Sequence, residues 1–271
     1  MDALPSYLSL APTATKLPSN PAGRVVVCAS HGGAYAGYLV ARTTAAAVIL
    51  NDAGVGLGEA GIGVLSLCDA LGMPAATVAH SSCRIGDAED MYARGLVSHA
   101  NPAAEALGCV VSMPCAEAAL ALRNAPSHGA PAAYAEARTI IGNNAAGLHI
   151  ACIDSVSLVN DTDHGQIVLS GSHGGVVAGQ RALAIRVHAG AAFYNDAGIG
   201  MDDAGVSRLP VLDEMGVAAA TVDSNLARIG DGRSTYEDGI ISRCNTLAQA
   251  MGMRIGMPAR AAVELVPAGM A

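Results

Sequence analysis

Three short polar motifs occur twice in this sequence, and they contain the residue types that acid–base and nucleophilic chemistry use. The motifs are Ser-His-Gly-Gly, Asn-Asp-Ala-Gly and Arg-Ile-Gly-Asp. Histidine, aspartate and serine transfer protons or attack a carbonyl carbon, and arginine binds carboxylates and phosphates. The motifs begin at Ser30, Asn51 and Arg84, and again at Ser172, Asn195 and Arg228.

Ser-His-Gly-Gly allows three interpretations. In the first, backbone N–H groups form a cradle for a phosphate, a carboxylate or an oxyanion, contributed by Gly32, Gly33, Gly174 and Gly175. The tripeptide His-Gly-Gly resembles the oxyanion-hole loop of lipases and esterases. In the second interpretation, Ser30 or Ser172 is an exposed nucleophile between a strand and a helix. In the third, the glycines only permit a turn.

The aspartates of the second motif, Asp52 and Asp196, are candidates for proton transfer together with His31 and His173. We expect each carboxylate to face the histidine of the neighbouring loop, with Asn51 and Asn195 as binding residues. The alternative is an Asx turn, in which the side chain only accepts from nearby backbone N–H groups. A divalent metal is a further possibility, because the motifs together supply two histidines and four carboxylates: His31, Asp52, Asp87, His173, Asp196 and Asp231.

The third motif places arginine and aspartate three residues apart. Arg84 with Asp87, and Arg228 with Asp231, either form an ion pair that holds the loop or bind a substrate anion through the guanidinium.

Two cysteines are candidates for thiol chemistry. Cys83 precedes Arg84, whose charge would lower the thiol pKa as a nucleophile requires, and the equivalent position in the second copy is Ala227. Cys244-Asn245-Thr246 is similar to a short catalytic segment of aspartate/glutamate racemases, but no family is assigned from three residues.

The repeated motifs belong to a tandem duplication that covers most of the chain. Residues 51–110 and 195–254 are identical at 25 of 60 positions. The sequence therefore predicts a first α/β repeat at 8–122, a helical connector at 123–149 and a second α/β repeat at 150–266. We expect two pseudo-symmetric halves, each a mainly parallel β-α-β-α-β-α unit preceded by a hairpin strand. In each half the three motifs follow strands, so they should meet at the edge where open α/β sheets bind ligands.

The predicted helices follow these strands. The first covers 34–42 in the first half and 176–188 in the second, and the second covers 60–71 and 204–215. The third covers 91–107 and 236–251.

Composition narrows the functional classes. The chain has 271 residues, a formal net charge of −8 and only 3% aromatic residues, which disfavours nucleic acid as a partner. Apolar runs are too short to span a membrane. The seven cysteines include no C-x-x-C, and an odd number of thiols with mostly apolar neighbours predicts a reduced, cytoplasmic protein. Neither a Walker lysine motif nor a dinucleotide fingerprint occurs, so no organic cofactor is expected. We also expect a homo-oligomer.

The sequence thus favours an enzyme that acts on a small polar or anionic molecule. Hydrolysis of an amide or ester is the first hypothesis, with the site at strand ends between the halves. A cofactor-independent racemase or isomerase, a non-catalytic ligand-binding protein and a shell or scaffold subunit are the alternatives.

Overall fold

The computed structural model describes residues 4–269 and contains two sheets with helices between their strands. The first sheet has the spatial order β1 to β5, in which β1 to β4 are parallel and β5 is antiparallel to β4. Its strands are β1 (Leu8–Ala11), β2 (Val25–His31), β3 (Ala47–Asn51), β4 (Ala75–Val78) and β5 (Val97–Ala100).

The second sheet has six strands in the order β11-β10-β9-β8-β7-β6. Strands β7 to β10 are parallel, and the two edge strands β6 and β11 are antiparallel to their neighbours. The strands are β6 (Arg138–Asn143), β7 (His149–Ile153), β8 (Ile167–His173), β9 (Ala191–Asn195), β10 (Ala218–Val222) and β11 (Ile241–Cys244). The predicted α/β class is therefore confirmed.

Short helices cover both sheets. Apolar side chains of the strands and of these helices together form two core clusters for each sheet. Strand β3 is buried at every position, which explains its continuous apolar run. The α-helices are α1 (Ala34–Ala41), α2 (Val64–Leu71), α3 (Ala88–Arg94), α4 (Pro102–Glu105), α5 (Cys115–Ala121), α6 (Arg208–Glu214), α7 (Gly232–Glu237), α8 (Thr246–Ala250) and α9 (Ala259–Ala262). None of the helices between residues 4 and 269 is long and apolar enough to cross a membrane.

The hairpins predicted at the start of each half are wrong. Strand β1 pairs with β2 in parallel, and β7 pairs with β8 in parallel. Residues 12–24 and 154–166 are long enough to carry the chain back to the starting end of the next strand, as parallel pairing requires. Consequently the segments that follow β1 and β7 leave from the same sheet edge as the three motifs.

The long third helices predicted at 91–107 and 236–251 are also wrong. Each is divided by an antiparallel strand, β5 or β11. In the first half the chain leaves α3 at Gly95, where an added Cβ would clash with the Met91 carbonyl oxygen. Asn101 then begins α4 and accepts from the Ala75 backbone N–H, which holds the new strand end against β4.

The second half lacks the helix predicted at 176–188, where the structure has only the short 3-10 helix Arg181–Leu183. The Arg208 guanidinium donates to the backbone oxygens of Gly175 and Ala184. The first half has Val64 at the equivalent position and keeps helix α1. We attribute the difference to Arg208, because it occupies the carbonyl group of Gly175, just before the predicted helix, and that of Ala184 within it.

The connector contains no α-helix in residues 123–149, all of which the structure describes. Its last part forms β6, which extends the second sheet. Its earlier part lies over the first half, where Gly129 donates to the Leu71 oxygen and the Tyr134 ring packs 5.5 Å from that of Tyr35. The boundaries 8–122 and 150–266 remain a prediction.

Candidate functional site

The two histidines of the repeated motifs lie at the carboxyl ends of equivalent strands and line one cavity. His31 ends β2 beside Asn51, and His173 ends β8 beside Asn195. The cavity measures about 420 Å3 and is lined by both Ser-His pairs. This volume falls in the range of small-molecule sites, which is roughly 300–1,000 Å3. Gly230 of the second half approaches the His31 ring, so both halves form the cavity wall.

Both imidazoles are held in one orientation and kept neutral. The Nδ1 atom of His31 accepts from the Gly33 N–H at 3.1 Å, and Nδ1 of His173 accepts from the Gly175 N–H at the same distance. Burial lowers the pKa of His31 to about 4. Burial, with Arg208 and His31 nearby, lowers the pKa of His173 well below its usual value. A neutral ring whose Nδ1 accepts carries its proton on Nε2, so each histidine is a hydrogen-bond donor at that atom.

The glycine amides do not form the predicted anion cradle. Gly32 and Gly174 donate to the oxygens of Asn51 and Asn195, while Gly33 and Gly175 donate to the histidines. All four N–H groups are therefore used inside the protein. The glycines are required by space instead, since a Cβ at Gly33 would lie 2.7 Å from the His31 ring.

The two serines anchor the segments that follow β1 and β7. The Ala14 N–H donates to Ser30 Oγ, and the Val156 N–H donates to Ser172 Oγ, each at 2.9 Å. Neither serine makes a side-chain hydrogen bond to a histidine within residues 4–269. Both line the cavity, but among residues 4–269 no histidine or carboxylate side chain hydrogen-bonds to either hydroxyl, as a serine nucleophile requires.

Asp52 faces His80 rather than His31. Its Oδ1 atom lies 2.8 Å from His80 Nδ1 and also accepts from the backbone N–H groups of Gly54 and His80. Burial opposes ionisation of Asp52, but the hydrogen bonds from His80 outweigh it and leave the carboxyl pKa below its ordinary value. The same contact raises the pKa of His80.

Asp196 occupies the equivalent position in the second half, with Ser224 in place of His80. It accepts from the backbone N–H groups of Gly198 and Ser224, and burial raises its carboxyl pKa. Asp52 and Asp196 both lie outside the lining of the cavity that holds the histidines.

The Asn-Asp turns meet each other where the halves touch. The Asn51 and Asn195 side chains accept from the N–H groups two residues later, as in Asx turns. A Cβ added to Gly54 would lie 3.0 Å from the Gly198 Cα atom. Three backbone bonds cross between the halves, from Leu57 N to Ser224 O, from Met201 N to His80 O and, away from these turns, from Ala178 N to Gly86 O.

Three of the four charged residues of the third motif have local partners, and Arg84 also pairs with Asp202 of the second half at 3.7 Å. Arg84 pairs with Asp90, not with Asp87, and Asp87 accepts from the Asp90 N–H at the start of α3. Asp231 caps α7 in the same way through the Ser234 N–H. The exposed Arg228 side chain passes Gly58 of the other half. None of these four residues lines the cavity.

Cys83 is fully buried and lies away from the cavity. Burial raises its thiol pKa to about 12, so the thiolate that nucleophilic attack requires is not formed near neutral pH. Its sulfur accepts a weak hydrogen bond from the Asn51 side chain at 3.6 Å.

A pair of carboxyl groups outside the repeated motifs lies on the cavity wall. Glu136 comes from the connector, and Asp154 follows β7. Burial and the nearby Asp154 raise the pKa of Glu136 to about 7. Burial also raises the pKa of Asp154, which accepts from the Ala137 and Gly232 N–H groups. Glu136 therefore exchanges a proton near neutral pH.

Arg208 is the second functional residue that the motifs missed. It begins α6, is only 1% exposed and lines the cavity near His173. Its counterpart in the first half is Val64. An alignment of the two repeats therefore places a charged residue opposite an apolar one, and this difference could have indicated Arg208.

The structure thus brings together His31, His173, Ser30 and Ser172 and separates them from the Asp and Arg candidates. Within the described chain, no group of three or more His, Cys, Asp or Glu side chains is arranged to hold a metal ion. The chain matches no protein-family model, no curated protein sequence and no solved structure.

Proposed function

We propose that the chain is a small-molecule hydrolase with one active site in the cavity between two pseudo-symmetric halves. The observation that carries this proposal is one cavity that contains two neutral imidazole donors and a carboxyl group with a pKa of about 7. Such a combination supplies a fixed electrophile and a proton acceptor that works at neutral pH.

In this proposal His31 and His173 stabilise negative charge on the substrate. Their Nε2–H groups donate to a carbonyl oxygen whose charge grows as its carbon is attacked. Because the Nδ1 bonds to Gly33 and Gly175 fix both rings before substrate binds, little reorganisation is needed.

Glu136 is the proposed general base and acid. Its carboxylate takes a proton from a water molecule as the water oxygen bonds to the substrate carbonyl carbon. When the tetrahedral intermediate collapses, the bond to the leaving group breaks and Glu136 returns the proton to that group. Water is the nucleophile in this scheme because neither Ser30 nor Ser172 has a histidine base.

A cofactor-independent isomerase or racemase is the second candidate. A neutral imidazole that polarises a carbonyl, combined with a carboxylate base, also removes a proton from the adjacent carbon. Glu136 as the base, with His31 and His173 as the groups that polarise the carbonyl, favours such an isomerisation.

A reaction panel in D2O separates these functions. The purified chain is incubated with small amides, esters and α-substituted carboxylic acids, and proton NMR follows product formation and loss of C–H signals. New acid and amine or alcohol signals support hydrolysis, and deuterium incorporation without cleavage indicates an isomerase. Thermal stabilisation by compounds that give neither outcome would identify a binding protein and refute an enzymatic function.

Glu136→Gln tests the assigned base, with the exposed Glu117→Gln as the matched control. We expect Glu136→Gln to lower turnover roughly 100- to 10,000-fold and to remove the rise of activity with pH through about 7. Equal turnover in the two variants would exclude Glu136 as the base.

A further inference from the structure

Arg208 is a buried cation without a carboxylate partner. Within residues 4–269, no Asp or Glu oxygen lies within salt-bridge distance of its guanidinium, although its side chain is 1% exposed. By contrast, ion pairs with carboxylates are formed by Arg84, Arg94, Arg138, Arg181 and Arg233. Arg208 is thus buried more deeply than these arginines but lacks their charge compensation.

The protein holds the Arg208 guanidinium in place without neutralising it. Its Nε and Nη2 atoms donate to the Gly175 oxygen at 3.3 and 2.8 Å, and Nη1 donates to the Ala184 oxygen at 2.7 Å. The Tyr194 ring lies 4.6 Å below its Cζ atom. These bonds use three of the five guanidinium N–H groups. Both acceptors are neutral carbonyl groups, so the positive charge stays uncompensated.

An uncompensated buried charge destabilises the folded protein, because an ion that is removed from water loses its hydration. Arg208 lines the cavity, so a ligand there can supply the missing negative charge. The neighbouring histidines are neutral and add no positive charge. The exposed Lys16 and Arg186 lie on the same cavity wall, where they attract an approaching anion.

We infer that the cavity binds a small monocarboxylate, with the substrate carboxylate on Arg208. Arg208 is a buried cation that balances one negative charge, and the carboxyl groups of Glu136 and Asp154 on the same cavity wall oppose a second one, which favours a monocarboxylate over a doubly charged phosphate. This inference rests on the proposed function in one respect, that the cavity is the active site. It adds the chemical class of the substrate. In the proposed reaction Arg208 fixes the carboxylate end while His31 and His173 contact the reacting carbonyl.

Thermal-shift measurements on the full chain test this ligand class. Lactate, pyruvate, alanine and 3-hydroxybutyrate are compared with their primary amides at equal ionic strength, with sulfate and inorganic phosphate as further probes. We expect at least one carboxylate to stabilise the protein while its amide does not. Equal stabilisation by acid and amide, stronger stabilisation by phosphate or sulfate than by every carboxylate, or no stabilisation by any carboxylate would overturn the inference.

The carboxylate that stabilises most is then used with variants. Arg208→Lys keeps the charge but loses the planar pair of donors, so we expect its Kd to rise roughly ten- to a hundredfold. The exposed Arg260→Gln is the matched control and should bind like the wild type. An unchanged Kd in Arg208→Lys would contradict the assignment.

A measurement on the wild type keeps the inference testable if Arg208 variants do not fold. The Arg208 charge helps to lower the pKa of His173. A carboxylate bound to Arg208 cancels that charge, so the His173 pKa should rise, as read from the ring resonances of histidine-labelled protein. A His173 resonance and pKa that do not respond to the carboxylate would refute binding at Arg208.

The outcomes separate this inference from the proposed function. Glu136→Gln should bind the carboxylate even when turnover is lost. Carboxylate binding without any reaction would refute the enzyme but not the subsite, whereas turnover of substrates that lack a carboxylate would refute the subsite alone.

Discussion

The contact between His80 and Asp52 should make stability depend on pH in a way that one substitution removes. His80 lies where the halves meet: its ring contacts Gly198, and its backbone oxygen accepts from the Met201 N–H. Its Nδ1 atom is 2.8 Å from Asp52 Oδ1, and the side chains are 30% and 4% exposed. We predict that His80→Ala lowers the free energy of unfolding by about 1.5–3 kcal/mol, the range for a hydrogen bond to a charged group.

The pH dependence of this loss has a definite sign. The hydrogen bond to Asp52 raises the pKa of His80, so its contribution is complete below about pH 6.5, the pKa of an unfolded histidine. The contribution decreases as pH rises through the raised value. The Asp52 pKa is lowered, so the carboxylate contributes above its unfolded pKa of about 3.9 and loses that contribution as pH falls through the lowered value. The difference between wild type and His80→Ala should therefore be largest between these limits.

Urea unfolding followed by circular dichroism at about pH 5.5, 7 and 9 measures this difference, since those values bracket the histidine pKa. Ser224→Ala is the matched control: it replaces the equivalent residue of the second half, whose Oγ has no hydrogen-bond partner within the described residues. The control should lose no stability. A loss in His80→Ala below about 0.5 kcal/mol, well under the range for such a bond, would refute the reasoning. A loss equal at all three pH values would refute it as well.

Further predictions concern the contact between the halves and the buried thiols. Gly54→Ala and Gly72→Ala both place Ala at a positive φ, but only Gly54 faces Gly198. We expect Gly72→Ala to cost about 1–2 kcal/mol and Gly54→Ala about 1–3 kcal/mol more, measured by urea unfolding; equal losses would contradict the close approach. Of the seven cysteines, only Cys244 is not fully buried, so a thiol reagent should label Cys244 first in the native protein. Rapid labelling of Cys83, mapped by mass spectrometry, would contradict its burial.

The sequence was sufficient for the class of fold and for the position of the motifs at strand ends. Parallel strands that are buried on both faces are continuous apolar runs, so β3, β4, β9 and β10 could be located. The pairing direction of β1 could not be read, because an extended segment before a turn has the same composition in a hairpin and in a parallel crossover. Strand β5 was missed since its four residues are too short to interrupt a helical pattern.

The site was only partly predictable for a related reason. His31 and His173 could be found because both copies keep them, whereas repeat matching cannot find residues that occur once. Glu136 lies in the connector, which has no counterpart, and Arg208 replaces Val64. Asp52 was assigned to the wrong neighbour because the sequence does not show which side of a turn a carboxylate faces. His80 lies 28 residues later, and only the pairing of β3 with β4 brings it close.

The most direct test of the account is whether one ligand contacts both histidines. Histidine-labelled wild-type protein is titrated with the carboxylate that gives the largest thermal shift, and the His31 and His173 ring resonances are assigned by His31→Asn and His173→Asn. We predict that both resonances shift along one binding curve with one ligand per chain. Two independent curves, two ligands per chain or a response from only one histidine would contradict a single site between the halves.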